Sequence, residues 1–207
     1  DDESNYRIIL HLDIDCFYCQ CEKIDRQLDD DSRPFAIGQK HIIVTCNYAA
    51  RALGVKKLET KEEALRKCPY LIIYDGSDLE SYRKHGRKVY LTFRDACRDI
   101  FGSNVACAKG SMDEMVADLT RITPGILMNV VLAKDVHIYG ETAETTTIRE
   151  DQSGASSTHS FTPQLNRMPE SEILTKRLVS VSTLALQVRQ RILSATGFTT
   201  TLGVSTN

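Results

Sequence analysis

Four acidic side chains stand where a solvated surface does not easily account for them. Asp13 and Asp15 close the apolar run Ile8-Ile9-Leu10-His11-Leu12, and Asp113 and Glu114 are adjacent between Met112 and Met115. Carboxylates at the end of a strand are carried where the backbone is stiffest, which suits the oxygen ligands of a hard divalent cation such as Mg2+. Neighbouring acids among apolar residues raise each other's pKa, and a metal ion removes that conflict. Three carboxylates gathered from two neighbouring strands would hold one or two Mg2+ ions, with Mn2+ as a replacement, a site suited to in-line phosphoryl or nucleotidyl transfer. Each half also has a plain reading, Asp15 as a helix N-cap and Asp113-Glu114 as a solvated turn. Only the two together point to metal-assisted chemistry.

A second group is Thr45, Tyr48 and Arg51, three residues apart. A hydroxyl, a phenol and a guanidinium presented to one side make a phosphate cradle, because Arg offers a fixed fork of donors.

The elements that position these groups follow from pattern. Arg7 to Asp13 reads as a strand buried on both faces, and Cys16 to Leu28 as a helix with Phe17, Cys21, Ile24 and Leu28 on its buried side. Phe35 to Gly38 and Ile42 to Thr45 form a hairpin around Gln39-Lys40-His41. Asn47 opens a short helix that Gly54 closes in a left-handed conformation. Thr60-Lys-Glu-Glu63 is a capping box, its helix ending at Cys68-Pro69. Ser77-Asp-Leu-Glu80 reads as another, starting a long helix to Gly102 with Leu79, Tyr82, Val89, Phe93, Ala96 and Ile100 inward and Gly86 as its weak point. Strands are expected near Val105 to Lys109 and Met115 to Leu119. Residues 140–171, rich in Thr, Ser, Glu and Gly, read as a flexible insertion. Leu174, Leu178, Val181, Ala185, Val188 and Ile192 restore an amphipathic helix ending before Gly197, and Phe198 to Ser205 alternates as a final strand.

At 207 residues with a formal net charge of −2, the chain is long enough for one good core with a smaller appendage and is not the basic protein a free-standing nucleic-acid binder tends to be. The charge is unevenly spread. Asp1, Asp2, Glu3 and Asp29 to Asp31 make the start acidic, whereas Arg51, Lys56, Lys57, Lys61, Arg66, Lys67, Arg83, Lys84, Arg87 and Lys88 gather between the two acidic stretches. An electropositive surface beside a metal site is the expectation, against the plain alternative of solvated helix faces. Seven cysteines without a signal peptide fit free thiols in a reducing compartment, and Cys16, Cys19 and Cys21 lack the second Cys/His pair that a zinc site needs. No run approaches the apolar length of a membrane span, so no membrane partner is expected.

The segments His11-Leu-Asp-Ile-Asp-Cys-Phe-Tyr-Cys-Gln-Cys-Glu22, Val44-Thr-Cys-Asn-Tyr-Ala-Ala-Arg-Ala-Leu-Gly-Val55 and Ser111-Met-Asp-Glu114 resemble the palm and fingers of the Y-family, or translesion, DNA polymerases. The resemblance covers roughly residues 7–120 and 171–207. It implies an α+β fold: a polymerase palm of mixed or antiparallel sheet backed by helices, with a small, mainly helical fingers lobe. By it, residues 1–46, 104–139 and 172–207 are palm and 47–103 fingers, with 140–171 inserted.

The resemblance further implies Mg2+-dependent transfer from a deoxynucleoside triphosphate to a primer 3'-hydroxyl, on a DNA primer-template and in the nucleus. Asp13, Asp113, Glu114 and the Ile14 carbonyl take the metal; Phe17 and Tyr18 face the nucleotide, Tyr18 as the ring that excludes a ribose 2'-hydroxyl. Thr45, Tyr48 and Arg51 hold its phosphates, and Gln39, Lys40 and Ile42 lie over the templating base. The lysine expected after Gly203 to Asn207, the thumb and the DNA-gripping domain fall outside these 207 residues, as would segments binding a replication clamp. The expectation is therefore a catalytic-core fragment that binds nucleotide but extends primers weakly. A catalytically silent palm and fingers module is the alternative, and a palm-like nucleotide cyclase accounts for the acids but not for Tyr18 with the phosphate cradle.

Overall fold

The computed structural model describes residues 6–28, 30, 32–122 and 170–206. The acidic residues at positions 1–3, 29 and 31 lie outside them. So do residues 140–169 of the expected insertion, whose last two residues, 170 and 171, instead open a helix.

Four strands build the larger sheet in the order β5-β6-β1-β7, antiparallel throughout: β1 (Ile8–Ile14), β5 (Ala106–Lys109), β6 (Glu114–Asp118) and β7 (Thr200–Thr206). The central strand β1 is not buried on both faces as its apolar run implied. Ile8, Leu10, Leu12 and Ile14 are buried whereas Ile9 and Asp13 are half-buried and His11 is exposed. The reason is that, among the described residues, helices cover one face only, and an antiparallel sheet tolerates the other face in water.

The covered face packs on α4 (Leu79–Phe101) and α5 (Glu170–Thr196) in one core that holds Leu10, Leu12, Ile14, Val89, Phe93, Met115, Val188 and Ile192. Burying each such side chain contributes roughly 1.5–3 kcal/mol, and truncating Leu12 to Ala would cost about 2–5 kcal/mol by leaving a cavity. Of the inward positions expected, Tyr82, Val89, Phe93 and Ala96 on α4 and Val181, Ala185, Val188 and Ile192 on α5 are buried, while Leu79, Ile100, Leu174 and Leu178 are half-buried; Cys97 and Phe101 join the buried side of α4. Asp78, not Ser77, caps α4, because the Ser77 hydroxyl is held 2.7 Å from Asp75.

A second unit is a three-stranded sheet, β3-β2-β4, with β2 (Phe35–Gln39) antiparallel to β3 (Ile42–Cys46) and parallel to β4 (Ile72–Asp75). Two short helices cover it, α2 (Tyr48–Ala52) and α3 (Lys61–Lys67), around Ala36, Ile43, Cys46, Ala50, Ala64 and Leu71. Asn47 caps α2 through Ala50, Gly54 follows at φ 88°, and the Thr60/Glu63 box caps α3 as read. This unit is therefore a small sheet with two helices, and α4, grouped by sequence with it, contributes its buried face to the large core instead.

Between the units runs α1 (Phe17–Asp25), shorter than expected: Phe17 and Cys21 face the large core, while Ile24 is 36% exposed and Leu28 lies beyond the helix. No described helix is long and apolar enough to cross a membrane.

Candidate active site

The end of the large sheet brings the two acidic stretches together. In the β1–β6 ladder Asp13 stands directly opposite Glu114, and the Ile14 amide donates to the Asp113 carbonyl at 3.0 Å. Directly paired residues of antiparallel strands have Cα atoms about 4.5–5.5 Å apart, so acids a hundred positions apart in sequence become neighbours. Their charges act on each other. The Asp13 carboxyl is held above its ordinary pKa by burial first, then by the carboxylates of Asp113, Glu114 and Asp15.

Ser111 shapes the turn into β6. Its hydroxyl donates to Asp113 Oδ1 at 2.6 Å and accepts from the amides of Asp113 and Glu114 at 3.3 and 3.0 Å. Behind it, Gly86 of α4 lets the Met112 carbonyl approach: a Cβ there would lie 2.3 Å from that oxygen. Sequence reasoning missed Ser111, although a serine two residues before an aspartate is a turn signal. It took Gly86 for a weak point.

Asp15 does not cap α1. The cap position is Cys16, in a left-handed conformation at φ 44° with no side-chain cap bond. Asp15 instead accepts from Thr201 Oγ1 at 2.7 Å, and its amide donates to the Thr199 carbonyl at 3.2 Å. The Gln20 side chain completes this clamp by donating to the carbonyls of Asp15 and Thr199 and accepting from the Thr199 amide. The turn that follows Asp13 is thus tied to β7, which fixes the angle at which Asp13 leaves the sheet.

Tyr18 leans against this corner. Its ring meets Phe17 at 5.4 Å and Tyr82 edge-on at 4.5 Å, and its phenol is pushed above the ordinary value by burial and then by the charge of Asp113. Phe17 is buried beneath it. A ring held next to the carboxylates can set which sugars fit beside them.

The cradle residues divide. The Arg51 guanidinium lies 5.2 Å over the ring of Tyr48, both exposed, and its Nε donates to the Cys46 carbonyl at 3.2 Å. Thr45 is buried at the end of β3, and its hydroxyl has no hydrogen-bond partner. An orphan buried hydroxyl carries a cost of about 1–3 kcal/mol, which an incoming acceptor would relieve. The Tyr48 phenol is pushed above its ordinary pKa first by the Cys16 thiol beside it, which puts the cradle next to the turn after Asp13.

Gln39, Lys40 and Ile42 sit at the β2–β3 hairpin. Lys40 is exposed at its tip with φ 49°, Ile42 is half-buried, and the Gln39 amide donates to the Gly76 carbonyl. The basic residues from Arg51 to Lys88 are mainly exposed, although Lys67 pairs with Glu59 and Arg83 lies 3.9 Å from Glu80.

Cys19 and Cys21 are buried and desolvation raises both thiols, while Cys16 is half-buried. Among the described residues no group of three or more His, Cys, Asp or Glu side chains is drawn together as a metal-ligand set. The acids share one end of the sheet and feel one another, but they are not closed into a cage.

Residues 12–207 match the model of the impB/mucB/samB family. The chain is 31% identical over 207 residues to DNA polymerase iota of Mus musculus, across 99% of this chain and 25% of that protein. It is 47% identical over 87 residues to DNA polymerase iota of Homo sapiens, across 42% of this chain and 12% of that protein. DNA polymerase IV of Pseudomonas putida is 40% identical over 94 residues, across 43% of this chain and 26% of that protein. The chain therefore spans about a quarter or less of the length of these curated relatives. With the family model matched from the first acidic stretch to the last strand, the chain belongs to the impB/mucB/samB family, the Y-family that its acidic and cradle segments resembled.

Proposed function

We propose that the chain is a catalytic-core portion of a DNA-directed DNA polymerase of the translesion class, joining a deoxynucleoside triphosphate to a primer 3'-hydroxyl on a DNA template. The observation that carries this reading is the register that sets Asp13 against Glu114, with Asp113 beside them and Tyr18 leaning on the same corner. In this reading the large sheet with α4 and α5 is the palm and the three-stranded unit the fingers. The whole protein acts in the nucleus, and clamp-type partners dock on segments beyond these residues.

Asp13, Asp113, Glu114 and the Ile14 carbonyl would hold two divalent cations, Mg2+ or Mn2+. The residues fit the group because the raised Asp13 carboxyl marks an excess of negative charge that a cation neutralises. When bound, such ions lower the pKa of the attacking hydroxyl and neutralise charge on the transferred and leaving phosphates. The chain's own residues do the rest. Thr45, Tyr48 and Arg51 hold the outer phosphates, Tyr18 with Phe17 excludes a 2'-hydroxyl, and Gln39, Lys40 and Ile42 limit the space over the template base.

A second reading, nucleotide binding without turnover, draws on the separation of the carboxylates into an unclosed set. Primer extension by this chain with Mg2+ or Mn2+, repeated with the Asp113→Asn variant, tests both. Weak extension lost in the variant supports the polymerase. Nucleotide binding with no extension under either metal supports the silent module.

A further inference from the structure

We propose that Glu22 is a positioning residue for sugar selection: through Tyr82 it fixes the ring of Tyr18 and so sets how strictly deoxyribonucleotides are separated from ribonucleotides. The inference rests on the reading of Tyr18 as the ring beneath the nucleotide sugar.

Tyr82 is 2% exposed on α4, and its hydroxyl donates to Glu22 Oε1 on α1 at 2.6 Å. Its ring stands at 88° to that of Tyr18 with centroids 4.5 Å apart. An edge-to-face contact depends on ring orientation, and the hydroxyl bond to Glu22 sets the orientation of Tyr82. Glu22 is itself 8% exposed, a place where a carboxylate is costly unless paired. Arg26, one turn later, supplies the pair, and its guanidinium lies 4.5 Å over the ring of Tyr74 on β4. Tyr74 in turn meets Phe35 of β2 edge-on at 5.7 Å.

A continuous series of contacts thus runs from the small sheet through α1 to the edge of Tyr18. A residue that merely filled this part of the core could be phenylalanine, and a buried acid would be unnecessary. The two polar groups are accounted for by what they orient. They hold Tyr82, which closes one side of Tyr18 while Phe17 closes another at 5.4 Å.

The test is displacement of a fluorescent deoxynucleotide from the 207-residue chain by dATP and by ATP in Mg2+, with folding checked by circular dichroism. Wild type should prefer dATP by about tenfold or more, and Tyr18→Ala should erase the preference. Tyr82→Phe, which keeps the ring and removes the donor, should cut the preference about threefold while dATP affinity stays within about twofold. Glu22→Gln, whose amide still accepts from Tyr82, should retain most of the preference, and Glu22→Ala should match Tyr82→Phe. Adding Tyr82→Phe to Tyr18→Ala should change nothing further, as coupled residues require. If Glu22→Ala fails to fold, Tyr82→Phe and the double variant decide the matter. A wild-type preference in Tyr82→Phe, with Tyr18→Ala still erasing it, overturns the positioning role and leaves the gate standing. An unchanged preference in Tyr18→Ala, or no nucleotide binding by wild type, overturns the gate reading and this inference with it.

Discussion

Asp13 and Glu114 face each other across an antiparallel ladder, with the next amide along, that of Ile14, bound to the Asp113 carbonyl. The backbone therefore imposes the meeting of these acids, and their charges oppose it. Burial and the neighbouring carboxylates raise the Asp13 pKa above its ordinary 3.8. A raised carboxyl binds its proton more tightly in the folded state than in the unfolded one, so stability falls as pH rises through and above 3.8. Asp13→Asn should accordingly raise the melting temperature of the metal-free chain at pH 7, with the gain vanishing below the ordinary carboxylate range. Thermal melts across pH 3 to 8 check it, and a destabilised variant at neutral pH would contradict the crowding of charge.

The same crowding predicts the response to metal. Asp113→Asn should weaken Mn2+ binding, read by calorimetry, by at least about tenfold, the lower range for losing even a residue that only supports a ligand. Unchanged affinity would remove these acids from the metal site.

Gly86→Ala separates local propensity from tertiary contact. In an open helix the substitution would stabilise by up to about 1 kcal/mol. Here the new Cβ would meet the Met112 carbonyl at 2.3 Å, and backbone cannot swing aside as a flexible side chain can. Urea unfolding should show a net loss of about 1–3 kcal/mol, typical of overpacking, together with weakened metal binding as the Ser111–Glu114 turn shifts. A stabilised variant would mean that α4 and this turn do not touch.

Thr45→Val should act with opposite signs on folding and binding. Replacing an orphan buried hydroxyl by a methyl should leave stability unchanged or raise it by about 1 kcal/mol. Triphosphate affinity should fall at the same time if that hydroxyl is held for phosphate. Equal affinity for nucleotide in the two proteins would return Thr45 to the core as a plain filler.

Asp118 behaves inversely to Asp13. Thr120 first, and then Arg7 at 2.8 Å, hold its carboxyl down at about 2. A lowered carboxyl stabilises the fold above its ordinary 3.8, and that contribution is lost as pH falls from there through about 2. Asp118→Asn should cost about 0.5–1 kcal/mol at pH 7 and progressively less as pH falls through 2, and high salt should shrink the difference.

How far the sequence reveals this molecule depends on the distance over which each contact acts. The Thr60/Glu63 box, the Asn47 cap and the inward faces of α4 and α5 are local or periodic, and each is where pattern places it. The meeting of Asp13 with Asp113 and Glu114 was legible because each pair of acids interrupts an apolar stretch. Other contacts between remote segments were not. Gly86 looks like a helix flaw until the Met112 carbonyl is seen above it, and Asp15 looks like a cap until Thr201 arrives from the far end of the chain. Strand β4 went unread because Ile72-Ile73-Tyr74 is short and follows Pro69, and only its parallel pairing with β2 makes it a strand. For the same reason the period of α4 shows which of its residues are inward and says nothing about what they meet, which is the large core.

The ladder that flanks β1 has a temporal consequence. Residues near 10 pair with residues near 116 on one side and near 204 on the other, whereas the three-stranded unit draws its partners from within residues 35–75. Distant pairings come late because closing a long loop costs entropy before the contact repays it. A growing polypeptide can thus complete its three-stranded unit early, yet the corner where the acids converge is clamped only when β7 arrives, so an unfinished chain lacks the assembled acidic corner.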